Sequence, residues 1–148
     1  MVVLDANILI RAVLGRRVRE LLQEHFTRVR FFAPDTAFAE AREHLPGILL
    51  KRNIQPEAAV AVLNELAVLI GCIDADVYGP YEEVARLRLQ KRDEDDWPVL
   101  ASALALKCPI WTEDADFFGA GVATWTTDRI ELLLCQSQSG PNASIEEE

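Results

Sequence analysis

The sequence predicts an α/β protein in which a parallel sheet has helices packed on both of its faces. One reason is that short apolar, strand-like segments alternate with longer segments of helical spacing along the chain. The second is that acidic residues follow both the first strand-like segment and a late one. The carboxyl edge of a parallel sheet is where such folds bind ligands. The sequence therefore predicts a fold class and a ligand site at one edge of the sheet.

A chain of 148 residues, half of them hydrophobic, suits one domain with a single core. We expect that domain to cover residues 1–135. From Gln136 onward the chain is rich in Ser, Gln, Gly, Pro and Asn and closes on Glu146–Glu148, which predicts a disordered tail over residues 136–148.

The first elements illustrate how each one is predicted. The apolar run Val2–Leu4 forms a strand that brings Asp5 to its carboxyl end, and a helical pattern begins almost at once. The next helix, Arg17–His25, turns its apolar residues inward and its charged residues outward. A later helix begins with Pro56 in its first turn and repeats apolar residues at helical spacing up to Ile70.

The same criteria extend over the whole chain. Strands are predicted at Val2–Leu4, Val29–Ala33, Gly71–Ile73, Pro109–Thr112 and Val122–Trp125. Helices are predicted at Ile8–Leu14, Arg17–His25, Asp35–Leu45, Pro56–Ile70, Pro80–Leu89, Asp96–Lys107 and Thr127–Leu134.

The net charge of −9 is distributed unevenly. Residues 1–60 carry nine Lys or Arg against seven Asp or Glu, whereas residues 61–148 carry six against seventeen. The basic residues cluster at Arg11, Arg16, Arg17, Arg19, Arg28 and Arg30. This pattern fits an ordinary solvated surface. It also fits a protein whose acids hold a cation while an arginine rim meets phosphates.

The cysteines and the hydropathy indicate a reduced, cytosolic protein. Cys72, Cys108 and Cys135 are odd in number and widely spaced, so we expect neither a disulfide framework nor a zinc site. No apolar run approaches the roughly 18 residues that a membrane span requires. The chain starts with a strand and no basic region, so no signal peptide is expected.

Four acids are candidates for one site because each lies at a strand end or at the start of the helix that follows. They are Asp5, Glu40, Asp96 and Asp114. A parallel sheet would bring all four to one edge. Carboxylate oxygens suit Mg²⁺ or Mn²⁺, which keep several waters and also bind substrate phosphate. Without a cation these acids would repel one another and raise one another's pKa values.

Each acid also has a purely structural interpretation. Asp95 or Asp96 would serve as a helix cap. Glu40 shares a helical stripe with His44 and other polar residues and would lie on a solvated face, and Asp114 would be a turn residue, as would Asp116. Asp5 is harder to explain in this way, because an acid that closes a buried strand is costly unless it is paired or used.

Four sequence segments resemble the PIN-domain nucleases, in order and in spacing, across about residues 2–134. They are Val3-Leu4-Asp5-Ala6-Asn7-Ile8-Leu9, Ala39-Glu40-Ala41, Asp96-Trp97-Pro98-Val99-Leu100-Ala101-Ser102-Ala103-Leu104-Ala105 and Trp111-Thr112-Glu113-Asp114-Ala115-Asp116-Phe117. The register that matches Asp96, and not its neighbour Asp95, depends on the alanine pattern downstream.

The resemblance implies a three-layer α/β/α sandwich and metal-dependent cleavage of RNA. It makes Asp5, Glu40, Asp96 and Asp114 the acidic quartet and Asp116 a fifth acid. Asn7 and Thr112 match polar residues that help to position the site.

We expect Mg²⁺ or Mn²⁺ to be held by Asp5, Asp96, Asp114 and Asp116, and we expect the RNA backbone to meet Arg11, Arg16 and Arg17. Short members of this family are commonly toxins of type II toxin–antitoxin pairs. By that analogy, an antitoxin protein and a homodimer are the expected partners.

Two other functions compete with this one. A phosphohydrolase of the haloacid-dehalogenase kind would use Asp5 as its nucleophile, but it needs a second aspartate where this chain has Asn7, and Lys107 is a weak match for its lysine. A PIN-like domain that binds RNA or protein without cutting would not need all four acids.

Overall fold

The computed structural model describes residues 1–136 and contains a five-stranded, fully parallel sheet. Its strands are β1 (Val2–Leu4), β2 (Phe31–Pro34), β3 (Ile70–Ile73), β4 (Ile110–Trp111) and β5 (Thr124–Trp125). They are arranged in the order β3-β2-β1-β4-β5. The chain thus starts in the centre of the sheet and reverses its direction of travel between β3 and β4, which places β1 and β4 side by side at a switch point.

Helices connect β1 to β2, β2 to β3 and β3 to β4, whereas a short 3₁₀ turn lies between β4 and β5. The helices are α1 (Ala6–Leu14), α2 (Arg17–His25), α3 (Asp35–Lys51), α4 (Pro56–Leu69), α5 (Ala75–Tyr78), α6 (Glu82–Arg88), α7 (Trp97–Leu106) and α8 (Ile130–Gln136). Short 3₁₀ turns lie at Gly79–Tyr81, Glu94–Asp96 and Ala115–Phe117.

The sheet separates two apolar cores, because successive residues of a strand point to opposite faces. Leu4 and Phe31 face the core built with α1, α2, α3, α4 and α8, whereas Val3 and Ile110 face the core built with α5, α6 and α7. The molecule is therefore the three-layer α/β/α sandwich that was predicted. Both cores consist of buried and almost entirely aliphatic or aromatic side chains, which makes the sheet a rigid support for whatever lies at its edge.

The strand prediction is confirmed, and the differences lie at element ends. β4 and β5 are shorter than predicted, although hydrogen bonds continue on both sides of β4, from the Val3 amide to the Pro109 carbonyl at 3.0 Å and from the Thr112 amide to the Trp125 carbonyl at 3.0 Å. Helix α5 was not predicted. It is a single turn started by Asp74, whose carboxylate accepts from the Asp76 amide at 3.0 Å.

The largest difference is α3, which runs to Lys51 and does not end at Leu45. Pro46 lacks an amide hydrogen and normally ends a helix. Here the buried residues Ala41, Leu45 and Leu49 continue one apolar stripe across it. Packing of that stripe against α1 and α4 offsets the lost hydrogen bond.

The end of the chain was predicted as a tail from Gln136 onward. Gln136 itself is the last residue of α8, and residues 137–148 lie outside the described part of the chain. Within residues 1–136, every helix is too short or too polar to cross a bilayer.

Candidate active site

Asp5 lies where β1 ends at the centre of the sheet, and it is 6% exposed. Its Oδ1 accepts from the Ile8 amide at 3.0 Å, which starts α1, and its Oδ2 accepts from the Thr112 hydroxyl. Burial raises the pKa of Asp5 to about 6, and the two hydrogen bonds act against that rise. A carboxylate in this position carries a charge that the protein alone only partly compensates.

Thr112 connects Asp5 to the acids that follow β4. The Thr112 side chain is fully buried, and its Oγ1 accepts from the Asp114 amide at 2.9 Å while its hydroxyl donates to Asp5. Asp114 in turn accepts from the Asp116 amide at 2.9 Å and so begins the turn that carries Asp116. A chain of hydrogen bonds therefore sets the relative positions of three acids.

Asp96 faces the same edge from the start of α7. Its side chain makes no capping hydrogen bond to the described residues, so helix capping does not account for it. Capping at this turn is supplied by Asp93, which accepts from the Asp95 amide at 3.0 Å. Asp95 is exposed and is not one of the three clustered acids, which are Asp96, Asp114 and Asp116, so the structure groups Asp96 and not Asp95 with the acids after β4. Asp5 and Glu40 also lie outside that group of three.

The pKa of Asp96 is raised to about 7, mainly by burial. The negative charges of its neighbours raise it further; in decreasing order they are Asp93, Asp114, Glu40 and Asp5. This electrostatic coupling shows that all four of the predicted acids lie close enough to repel one another.

Glu40 is the most open of the four, with its side chain 53% exposed. Its Oε1 lies 3.9 Å from Nε2 of His44, one turn along α3. Asn7 and Glu40 line the same open groove between α1 and α3. Glu40 and Asn7 thus lie on the open side of the other acids, from which solvent can reach them.

The acidic group fits a hard divalent cation. One carboxylate oxygen each from Asp96, Asp114 and Asp116 can be chosen so that all three lie within 4.8 Å of one another. Around an octahedral Mg²⁺ ion with oxygens about 2.1 Å away, adjacent oxygens lie about 3.0 Å apart and opposite ones about 4.2 Å apart, so the three carboxylates would draw closer together on binding one ion. The donor set consists of carboxylates, which Mg²⁺ and Mn²⁺ prefer.

Glu113 stands beside Asp114 in the sequence but has a separate part in the structure. Its Oε1 accepts from the Thr127 amide at 2.7 Å and lies 3.8 Å from Nη1 of Arg11. Glu113 therefore turns away from the acidic group and ties the segment after β4 to α1. The other two predicted arginines, Arg16 and Arg17, line a cavity together with Arg11. Nη2 of Arg17 lies 2.9 Å from Oε2 of Glu131.

Arg92 holds two parts of the site together and was not identified from the sequence. Its Nη1 donates to the carbonyl of Asp116 at 2.6 Å and to the carbonyl of Phe118. It thereby joins the segment before Asp96 to the turn that carries Asp116. Only the fold brings these segments together, because 24 residues separate Arg92 from Asp116.

Residues 3–135 match the PIN domain family. The chain belongs to the PIN domain family. That match spans the described domain almost completely and includes every acid of the site. No curated protein has a sequence that matches this PIN domain significantly.

Three solved structures show how widely this fold is shared. PAE2754 from Pyrobaculum aerophilum superposes with a TM-score of 0.69 at 14% sequence identity, over 91% of this chain and 89% of that one. VapBC2 from Rickettsia felis, bound to a DNA fragment from its promoter, has a TM-score of 0.66 at 15% identity, over 85% and 98% of the two chains. VapBC-1 from nontypeable Haemophilus influenzae has a TM-score of 0.58 at 18% identity, over 86% and 99%. At these identities the likeness establishes the fold of this PIN domain.

Proposed function

We propose that this PIN domain is a metal-dependent endoribonuclease that hydrolyses RNA phosphodiester bonds. The observation that carries the proposal is the acidic centre itself. Four acids from separate elements repel one another at one sheet edge, and burial together with the charges of neighbouring acids raises the pKa of Asp5 to about 6 and that of Asp96 to about 7. A protein that used these residues only for structure would gain nothing from bringing them together.

Asp5, Asp96, Asp114 and Asp116 are the proposed cation ligands. Each oxygen of Asp5 accepts one hydrogen bond and keeps a second lone pair, so its position is set without using up its capacity. A bound Mg²⁺ or Mn²⁺ would supply a Lewis acid that lowers the pKa of water and stabilises charge on the phosphate.

Glu40 and Asn7 are proposed to act on the open side of the centre. Glu40 is exposed enough to accept a proton from the attacking water and to return it to solvent. Asn7 offers an amide donor to a phosphate oxygen from the same groove. Thr112 positions Asp5 and Asp114 through the two hydrogen bonds of its hydroxyl group. Because its side chain is fully buried, it does not contact the substrate in this proposal.

We further propose that the protein acts in the cytosol as the toxin of a toxin–antitoxin pair and that it forms a homodimer. Support comes from its similarity in fold to VapBC2 and VapBC-1 and from its sequence resemblance to short toxin ribonucleases. An antitoxin that inserts a basic side chain among these acids would compensate the charge that makes the free centre unfavourable. The family match and the presence of Asn7 both disfavour the haloacid-dehalogenase alternative.

The test is cleavage of a mixed pool of structured and single-stranded RNA with Mg²⁺, with Mn²⁺ or with EDTA. The wild type is compared with Asp96→Asn and with Asp95→Asn, which changes the same charge one residue away on an exposed side chain. We expect cleavage that requires the metal, is lost in Asp96→Asn and is kept in Asp95→Asn.

Cleavage that resists EDTA or survives Asp96→Asn would contradict the proposed site. If no RNA is cut but Mg²⁺ stabilises the wild type and not Asp96→Asn, the centre binds metal and the domain has a binding role.

A further inference from the structure

Beside the acidic centre, a cavity of about 410 Å³ is lined by four arginines. They are Arg11 from α1, Arg16 and Arg17 at the start of α2, and Arg52 just after α3. Leu14, Gly15, Val18, Thr127 and Asp128 complete the lining. Among the lining residues only Asp128 is acidic, while Glu113 and Glu131 lie against Arg11 and Arg17 from outside the lining. The cavity thus keeps a small excess of positive charge in a protein whose net charge is −9.

The cavity has a rigid wall, because Arg19 fixes the connection between α1 and α2. Its guanidinium donates to the carbonyls of Ala12 at 3.0 Å, Val13 at 2.7 Å and Gly15 at 3.2 Å. These carbonyls lie at the end of α1, where backbone carbonyl groups have no amide partner within the helix. The connection that presents Arg16 and Arg17 is therefore held in one conformation.

The start of α2 adds backbone donors to the same wall. No side chain of the described residues caps α2 at Arg16. The first amide groups of a helix carry partial positive charge and bind anions when they are left free. Arg16, Arg17 and Val18, which supply these amides, all line the cavity.

Two of the four arginines are available for an external anion. Arg11 lies near Glu113 and Arg17 is paired with Glu131. Within residues 1–136, Arg16 and Arg52 form neither an ion pair nor a side-chain hydrogen bond, and both are exposed. Arg16 and Arg52 come from separate elements and line the same cavity, and neither has a partner within the described residues.

The cavity borders the acidic centre through Glu113. That residue contacts Arg11 and accepts from the Thr127 amide, so it touches the cavity wall on two sides. It also stands in the chain between Thr112 and Asp114, both of which belong to the centre. An extended polyanion leaving the acidic centre along α1 would therefore meet the arginines next.

We propose that this cavity is a phosphate-binding site for the RNA strand, next to the cleavage centre, and that Arg16 and Arg52 are its principal contacts. The inference rests on the proposed ribonuclease function. Planar guanidinium groups match phosphate oxygens. The site holds a phosphate beyond the scissile one, and Arg52 becomes a substrate-binding residue that the sequence pattern did not single out.

The experiment measures binding of a fluorescent single-stranded RNA of twelve nucleotides to the full chain in EDTA, as a function of salt. The variant is Arg16→Gln with Arg52→Gln. The matched control is Arg28→Gln with Arg30→Gln, which removes the same charge from two exposed arginines that precede β2, at the opposite edge of the sheet. Circular dichroism and urea unfolding establish that both variants are folded.

Each lost phosphate contact should lower the slope of log affinity against log salt by about 0.7 for a single strand. We expect the slope of the Arg16/Arg52 variant to fall by about 1.4, which corresponds to roughly 25-fold weaker binding at about 0.1 M salt relative to a 1 M reference. The control pair should change neither quantity by more than a small factor. In cleavage assays with Mn²⁺, the same variant should lose kcat/KM and keep kcat.

The proposal is overturned if the wild type does not bind the RNA, if both variants weaken binding equally, or if neither does. It is also overturned if a hexaglutamate peptide displaces the RNA at equal charge, since the cavity would then be a site for an acidic protein. If the binding contrast is found but no RNA is ever cleaved, the phosphate site stands and the ribonuclease proposal fails. If cleavage is found with an unchanged KM in the variant, the ribonuclease stands and the phosphate site fails.

Discussion

Replacing Asp5 by asparagine should stabilise the protein in the absence of divalent cations, although it removes a proposed cation ligand. Asp5 is 6% exposed, and its pKa is about 6 in the folded protein against an ordinary value of 3.8. A rise of about 2 pH units corresponds to about 3 kcal/mol, at about 1.36 kcal/mol per unit. The folded protein loses that amount of stability when the buried carboxyl ionises.

The pH dependence has a definite sign. Because the pKa of Asp5 is raised in the folded state, the neutral carboxyl contributes to the free energy of unfolding. That contribution is complete below pH 3.8 and is lost as the pH rises through about 6. Asparagine resembles the neutral form, since its oxygen still accepts from the Ile8 amide and its NH₂ group faces the Thr112 hydroxyl. The variant should therefore match the wild type near pH 4 and exceed it by about 3 kcal/mol at pH 8.

The assay is urea unfolding in EDTA at several pH values from 4 to 8, repeated at pH 8 with Mg²⁺. Asp95→Asn is the control, because Asp95 is exposed and lies outside the acidic group. Mg²⁺ at about 100 times its Kd should add about 2.7 kcal/mol to the wild type and much less to Asp5→Asn. A variant that is less stable than the wild type at pH 8 in EDTA, or a difference that does not change with pH, would refute the reasoning.

Three further predictions test other parts of the site. Mg²⁺ affinity measured by calorimetry should fall as the pH drops below about 7 and then below about 6, because Asp96 and Asp5 take up protons in that order. An affinity that is constant between pH 8 and 5 would contradict the proposed ligands. Thr112→Val should cost roughly 1–3 kcal/mol in urea unfolding, because one buried and one partly buried hydrogen bond lose a partner. Thr112→Ser should cost less, and equal losses would show that packing and not the hydroxyl matters. Gly121→Ala should lower the free energy of unfolding by about 1 kcal/mol or more, since Gly121 has a φ of +88° and a methyl group would lie 2.6 Å from Nη1 of Arg88. Gly47→Ala is the control and should be neutral or stabilising, because a methyl group there would meet nothing within 4 Å.

The element pattern could be read from the chain because it depends on local periodicity. Val2–Leu4 and Arg17–His25 were predicted with the bounds that the structure shows, since their apolar spacing continues to their ends without interruption. The prediction stopped short at Pro46, where the local preference of proline opposes a helix and the buried faces of Leu45 and Leu49 prevail. Tertiary packing overrode local propensity at that point.

The acids of the site could be named from the chain for a different reason. In a parallel α/β fold, a residue at the carboxyl end of a strand has only one edge to occupy, so Asp5, Glu40, Asp96 and Asp114 were expected to meet. Their mutual electrostatic effects agree with that expectation. The choice between Asp95 and Asp96 could not be made by position alone, because it depends on which carboxylate faces the centre and which faces water.

What the sequence determined by itself is the α/β class, the strand and helix order and the acids that gather at one edge, because each of these follows from short-range pattern and from the handedness of strand–helix–strand connections. Only the tertiary structure decided that Thr112 joins Asp5 to Asp114, that Arg92 ties Asp116 to the segment before Asp96, and that Arg52 lines the same cavity as Arg16. These contacts join residues that are far apart in the chain, and their partners are chosen by the packing of whole elements against one another, which leaves no periodic trace in the sequence.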